Sequence, residues 1–328
     1  MAGLRVLDDY DVLLADLDGT VFKGGVAVDG AHEALDGREI VYITNNASRS
    51  PGQVAEHLRQ MGFEAGAGQV LTSAQAACTL ANDLLDDRDV PRTGRRAYVV
   101  GAGSFRELAA EAGFEIVDTA DDRPHVVLHG HSPETGWRQL SEAALGIRAG
   151  AEYVASNLDT TLPSERGFLV GNGSLVAAVV SATGVTPRSA GKPLPEMFRR
   201  AVAASGARRP LAVGDRLDTD IAGGIAAGID TLCVLTGVAT HTELLRTDVR
   251  PTYIAANLRD HLPGWSAVVE DDRVVVSSGE TGEAEVMAAE AVAAAAPVVW
   301  REQDRGAAPE VVAAVGDAAA RTALEGWR

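Results

Sequence analysis

The sequence predicts an α/β protein with a parallel-sheet core, an inserted α/β cap and a small C-terminal appendage. Three observations predict it. Short, wholly apolar runs alternate with stretches of helical periodicity, the pattern of strands buried on both faces. Several of these runs end in Asp, Thr, Asn or Gly, so polar residues gather at strand ends. The segment between Thr44 and Lys192 is too long for one crossover and repeats the same rhythm, as an inserted domain would.

The elements follow in order. Residues 12–15 (Val-Leu-Leu-Ala) read as a buried strand that delivers Asp16-Leu17-Asp18-Gly19-Thr20 into a loop. A second strand, 40–43, ends in Thr44-Asn45-Asn46. Ser50-Pro51 then opens a helix carrying Val54, Leu58 and Met61 on one face. Strands at 97–100, 126–128 and 152–155 belong to the insertion, whose edges at 91–94 and 184–187 are rich in Gly and Pro. Residues 211–213 lead into Gly214-Asp215, and 231–235 into Thr236-Gly237. The expected boundaries are therefore 1–80 plus 184–263 for a Rossmann-like catalytic core, 81–183 for the cap and 264–328 for the appendage. In the appendage, 265–277 reads as a hairpin around Glu270-Asp271-Asp272, 283–296 as an Ala-rich helix ended by Pro297, and 310–327 as a further helix.

Composition narrows the function. The chain has 328 residues, enough for about two domains, and is 46% hydrophobic and 23% charged, so it can bury a sizeable core. Acids outnumber bases 46 to 29, and a net charge of −17 argues against nucleic acid and anionic membrane as partners. Cys78 and Cys233 lie far apart, which speaks against a disulfide framework or a thiolate zinc site. Asp8, Asp9 and Asp11 stand where a signal peptide would be apolar, and no run is long enough to span a bilayer; a cytoplasmic protein is expected. Lys23 and Lys192 are the only lysines beside 27 arginines. A lysine kept in such a chain either marks a place where a compact ammonium is needed or is kept by chance, an alternative that stands for Lys23. Lys23 itself reads as a solvent-facing residue.

Four polar clusters fall at strand ends: Asp16/Asp18, Thr44/Asn45, Lys192, and Asp215 with Asp220. In open parallel sheets those ends converge on one crevice. Carboxylates brought together there repel one another unless a cation joins them, and an all-oxygen set suits a hard ion such as Mg²⁺. Adding one ammonium, a threonine hydroxyl and backbone amides makes a phosphate-binding set. Asp16 is placed to attack phosphorus, and Asp18, two residues on, to give a proton to the leaving alkoxide and later take one from water. Closure of a cap would exclude water and favour a small substrate. The Gly101-Ala102-Gly103 stretch lacks the third glycine of a dinucleotide fingerprint and reads as an ordinary strand–helix turn.

Asp16-Leu17-Asp18-Gly19-Thr20, Thr44-Asn45-Asn46, Gly191-Lys192-Pro193 and Gly214-Asp215-Arg216-Leu217-Asp218-Thr219-Asp220 resemble, in order, the four motifs of the haloacid dehalogenase superfamily phosphatases. The insertion, with Ser156-Asn157-Leu158-Asp159 and Gly171-Asn172-Gly173, is similar to the cap of the branch containing p-nitrophenyl phosphatase, phosphoglycolate phosphatase and glycerol 3-phosphate phosphatase. The likeness covers roughly residues 10–262. It implies Asp16 as nucleophile and magnesium ligand, and Asp18 as acid/base with its backbone carbonyl on the metal. It implies Asp215 as the remaining carboxylate ligand, and Asp220 as an acid that orients metal waters or the lysine. Thr44, Asn45 and Lys192 are implied to bind the phosphate. His131, Asn157 and Asp159 are candidate cap contacts to substrate. His129-Gly130-His131-Ser132 departs from the branch, which often has an aspartate there. Two histidines this close can bind metal, but a strand-end loop that packs its histidine is the favoured reading.

The expected activity is Mg²⁺-dependent hydrolysis of a small phosphorylated metabolite through an aspartyl-phosphate, with glycerol 3-phosphate favoured by the resemblance and by the composite tail. Phosphoglycolate and pyridoxal phosphate stand as alternative substrates. A phosphotransferase or mutase would use the same first step, and the oligomeric state, monomer or homo-oligomer, is left open. A signalling receiver domain would have neither an equivalent of Asp18 nor a hundred-residue cap. Some glycerol 3-phosphate phosphatases of this branch carry an acetyltransferase-like remnant where this chain has 264–328, and the expected hairpin and helices are compatible with one.

Overall fold

The computed structural model describes residues 5–164 and 166–327. Its contacts divide the chain into two compact units, one of residues 1–41, 61–63 and 202–328, the other of 42–60 and 64–201.

The first unit is built on parallel strands Tyr253–Ala255, Asp230–Val234, Pro210–Gly214 and Val12–Ala15, adjacent in that order. All four residues of Val12–Ala15 are buried, as are the last four of each of the two central neighbours, which explains their unbroken apolar character. Register places the site. Ala15 pairs with Val213, and the Asp16 N–H donates to the Val213 carbonyl at 2.8 Å. The carboxyl ends of two neighbouring strands thus deliver Asp16 and Asp215 side by side. A π-helical turn, Leu217–Ile221, follows at once and runs into the helix Ala222–Ala227.

The appendage packs into this unit. Strands Ser266–Glu270 and Arg273–Ser277 form the expected hairpin, and Asp271 and Asp272 take positive φ (46° and 62°), the primed turn that matches the twist of a two-residue hairpin. Two expectations fail here. The helix does not stop at Pro297 but runs from Ala284 to Asp304. Pro297 is exposed while Ala295, Ala296, Val298 and Val299 are buried, so packing on both sides outweighs one missing backbone hydrogen bond. Residues 310–327 are not one helix: Glu310–Ala313 is a strand parallel to Arg273–Ser277, and the helix is confined to Ala318–Glu325 behind an Asp317 cap. The β-branched Val311 and Val312 find an open sheet edge, which helical periodicity alone cannot reveal. Val292 of the long helix shares a buried cluster with Leu217, Ile221, Cys233 and Leu244 of the parallel-sheet region.

The second unit contains the end of strand Ile40–Thr44, paired in parallel with Val70–Thr72. Thr72 then caps the helix Ser73–Asp86, accepting from the Gln75 N–H while the Gln75 side chain accepts from the Thr72 N–H. A five-stranded parallel sheet follows, in the order Glu115–Val117, Arg96–Val100, Val126–His129, Glu152–Ala155, Arg188–Ser189. Its core joins Tyr98, Val127 and Tyr153 to Ile147, Val176 and Val179 of the helices Trp137–Arg148 and Asn172–Thr183. The Gly101-Ala102-Gly103 stretch is the expected turn, leading into the helix Gly103–Glu111.

This division falls elsewhere than the boundaries read from the sequence, because residues 42–60, 64–80 and 184–201 group with the inserted sheet. Arg95 gives the physical reason on one side. Its guanidinium, 1% exposed, reaches back to Asp86 at 2.6 Å and to the Asn82 side chain at 2.7 Å, tying the helix Ser73–Asp86 to the first strand of the insertion. Among the described residues no helix is long and apolar enough to cross a membrane.

Candidate active site

In the first unit three carboxylates meet. Asp16, Asp215 and Asp220 each offer an oxygen, and these oxygens lie within 4.8 Å of one another. Asp215 and Asp220 are 1% and 2% exposed. Asp215 is held by its surroundings: its Oδ2 accepts from the Val238 N–H at 2.8 Å, and its carbonyl accepts from the Ala239 N–H at 2.8 Å. A Cβ at Gly237 would overlap that carboxylate, and so would one at Gly19, whose φ of +85° already excludes most side chains. The loop after strand Asp230–Val234 is thus part of the site. Sequence reading noted Thr236-Gly237 only as the end of a strand; the close approach of two backbones has no local signature. Asp220 accepts from the Arg216 N–H at 3.1 Å through Oδ2, a contact made by the π turn that brings position 220 back toward 215.

Asp18 is exposed and its carboxylate is not one of the trio. It lies in a tight turn, bridged to Phe22, with the Gly19 N–H donating to the Phe22 carbonyl at 2.7 Å. Lys23 is exposed, as expected, and its ammonium touches the Thr236 carbonyl at 3.4 Å.

In the second unit Thr44, Asn45 and Lys192 come together. Lys192 is 4% exposed, and its ammonium donates to the Ile43 carbonyl at 3.1 Å. Its backbone is clasped by Asn45: the Lys192 N–H donates to Asn45 Oδ1 at 2.9 Å, and Asn45 Nδ2 donates to the Lys192 carbonyl at 3.1 Å. Thr44 Oγ1 accepts from the Asn46 N–H at 3.1 Å. Asp159 meets the Asn45 amide at 3.1 Å, and Asn157 Nδ2 donates to the Asn45 carbonyl at 2.8 Å. Asn157 is 5% exposed and spends its amide on backbone.

His131 lies half-buried in the loop after Val126–His129. His129 is fully buried, with Nδ1 2.9 Å from the Tyr153 hydroxyl, so the packing reading of that pair holds for it. Burial pushes its imidazole down to about 4. The folded state therefore holds it neutral, whereas an unfolded chain protonates it near 6.5. Between those values the unfolded state binds more protons, so stability is complete above about pH 6.5 and falls as pH drops toward 4, by about 3 kcal/mol from this residue. Melting curves of wild type and His129→Gln across pH 4–7 check this: the difference in slope between them is the contribution of His129, and parallel curves would refute it.

A carboxylate trio at the carboxyl ends of a parallel sheet, two of its members buried and Asp16 half-buried, makes the first unit a carboxylate-centred α/β hydrolase core, and the second unit carries a lysine clasped beside a Thr-Asn strand end. The family model described as haloacid dehalogenase-like hydrolase matches residues 13–115, and a HAD-hydrolase-like model matches 189–261. The chain belongs to the haloacid dehalogenase-like hydrolase family, and its relatives place it among the phosphatases. The D-glycerol 3-phosphate phosphatase of Mycobacterium tuberculosis is 43% identical, over 98% of this chain and 95% of that protein. An acid sugar phosphatase of Staphylococcus aureus is 35% identical over 77% of this chain and 97% of its own length. The crystal structure of the M. tuberculosis glycerol phosphate phosphatase in complex with magnesium superimposes with a TM-score of 0.84 at 41% identity, covering 100% of this chain and 99% of that one.

Proposed function

We propose that this chain hydrolyses small phosphate monoesters, D-glycerol 3-phosphate foremost, with Mg²⁺, through an aspartyl-phosphate on Asp16. The observation that carries the reading is the trio of Asp16, Asp215 and Asp220 oxygens within 4.8 Å of one another. Three carboxylates so placed repel strongly, and oxygen-only donors suit a small hard divalent ion. Asp16 and Asp215, with the Asp18 carbonyl, would hold it, and Asp220 would orient its waters. Such an ion, when bound, neutralises phosphoryl oxygens and permits one anion to approach another.

The chain's own residues then divide the work. Lys192, with the Thr44 hydroxyl and the backbone at Asn45, binds and orients the phosphate. A carboxylate oxygen of Asp16 attacks phosphorus in line; the bond to the ester oxygen breaks, and protonated Asp18 gives its proton to the leaving alkoxide. Water next attacks phosphorus, its proton passes to Asp18, and the phosphorus–Asp16 bond breaks to release inorganic phosphate. Residues 81–183 would act as the cap that excludes bulk water, with His131 and Asp159 as its candidate contacts to substrate.

Support for the substrate comes from extent. The glycerol 3-phosphate phosphatase matches this chain through the appendage, whereas the acid sugar phosphatase leaves about a quarter of it unmatched. The test is a phosphate-release screen over triose, sugar, glycolate and pyridoxal phosphates, with and without Mg²⁺. Turnover of glycerol 3-phosphate is expected to lead and to vanish in chelator. Faster release from sugar phosphates, or chelator-resistant release, overturns the corresponding half of the proposal. Label retained on a second hydroxyl compound instead of free phosphate would make the chain a transferase.

A further inference from the structure

The helix Asn172–Thr183 presses its first turn against the loop that follows strand Glu152–Ala155. The Gly171 N–H donates to the Thr160 carbonyl at 2.9 Å, the Gly173 N–H to the Asp159 carbonyl at 2.8 Å, and Ser174 Oγ to the Thr160 carbonyl at 2.8 Å. A Cβ at Gly173 would overlap the Leu158 carbonyl, so only glycine permits this approach. Between the two glycines Asn172, 2% exposed, points inward. Its Nδ2 donates to the Asn157 carbonyl at 2.8 Å and lies 3.4 Å from the His129 carbonyl.

Asn157 is the next link. Its Nδ2 donates to the Asn45 carbonyl, which also accepts from Ser73 Oγ at 2.6 Å. Asn45 in turn clasps the Lys192 backbone with both ends of its amide and meets the Asp159 carboxylate. Three asparagines thus connect a helix N-terminus of the inserted region to the phosphate-binding lysine, each spending its amide on another residue's backbone. Each of these amides is wholly or largely shielded from water, where a lost hydrogen bond is not replaced by solvent.

We infer that Asn172 is a positioning residue for phosphate binding: through Asn157 it fixes Asn45, and through Asn45 the placement of Lys192. It touches neither substrate nor reacting atoms. This inference rests on the phosphatase reading above and adds a residue that no motif of that reading contains. It also reassigns Asn157, which the sequence suggested as a substrate contact, to the same supporting chain.

The consequence is specific. Loss of the Asn172 amide should loosen the phosphate-binding half of the machinery while leaving the carboxylate trio intact. Asn172→Leu keeps the branched outline of the side chain and removes the donor. For the full chain with saturating Mg²⁺, kcat/KM for p-nitrophenyl phosphate and the affinity for inorganic phosphate are both expected to fall about tenfold to a hundredfold, since small misplacements of a binding group cost that much. Mg²⁺ affinity, measured by calorimetry without substrate, is expected to stay within about twofold, because the carboxylates that would hold the ion belong to the first unit and this chain of amides to the second. A variant that merely loosened the whole fold would lose both. The double variant Asn172→Leu/Asn157→Ser should lose little more phosphate affinity than Asn157→Ser alone, the signature of residues acting in series.

Wild-type phosphate affinity and kcat/KM in Asn172→Leu, or fully additive losses in the double variant, overturn the inference. Should Asn172→Leu fail to fold, Asn157→Ser with the same three measurements decides, since loss of phosphate affinity at unchanged Mg²⁺ affinity is still required. Failure of the phosphatase reading looks different: the wild type itself would release no phosphate from any ester.

Discussion

Asp16→Asn is expected to lower phosphate release by roughly 10⁴-fold or more while leaving the chain folded. The substitution keeps the shape of the side chain and removes only the anion that attacks phosphorus. Two further readouts separate this account from a general injury. One of three carboxylates within 4.8 Å of each other is neutralised, so the chelator-treated variant should melt at or above the wild-type temperature. The same change removes a ligand charge, so stabilisation by added Mg²⁺ should shrink. A variant that retains turnover refutes Asp16 as nucleophile. One that melts well below wild type in chelator refutes a net repulsion at Asp16.

Trp300→Ala tests the other end of the chain. Trp300 is 7% exposed, its Nε1 donates to the Leu244 carbonyl at 2.9 Å, and the Arg250 guanidinium lies 5.8 Å from its ring centroid. Truncation would leave a large cavity and an unsatisfied carbonyl beneath the long helix Ala284–Asp304, a cost of about 3–5 kcal/mol. Because Gln303 also bonds the Leu245 carbonyl and Asp304 pairs with both terminal nitrogens of Arg250, the loss should appear as destabilisation of the first unit as a whole. Denaturant unfolding of wild type and variant measures it. A change below about 1 kcal/mol, or an early separate transition confined to the appendage, would show that the appendage is an independent passenger.

The legible parts of this protein were those written in contiguous residues. Val12–Ala15 had to be a buried strand because four apolar residues ran straight into Asp16-Leu17-Asp18, and the same held for the strands before Thr44 and Asp215. The two lysines among 29 bases pointed to Lys192 before any geometry was known. Where the sequence misled, a local rule met a stronger tertiary one. Pro297 should end a helix, and does not, because buried neighbours on both sides hold the backbone in place.

What the sequence by itself determined was the alternation of strand and helix, the acids, hydroxyl and ammonium at strand ends, and through them the family. Only the tertiary structure decided that Asp16, Asp215 and Asp220 share one cation's reach, that Gly237 must lack a side chain beside Asp215, and that Asn172 stands behind Asn157 and Asn45. The physical reason is range. Strand and helix propensities act over a few residues and leave a periodic trace, whereas close approach, shared hydrogen bonds and charge crowding arise between segments that are neighbours only after the chain has folded.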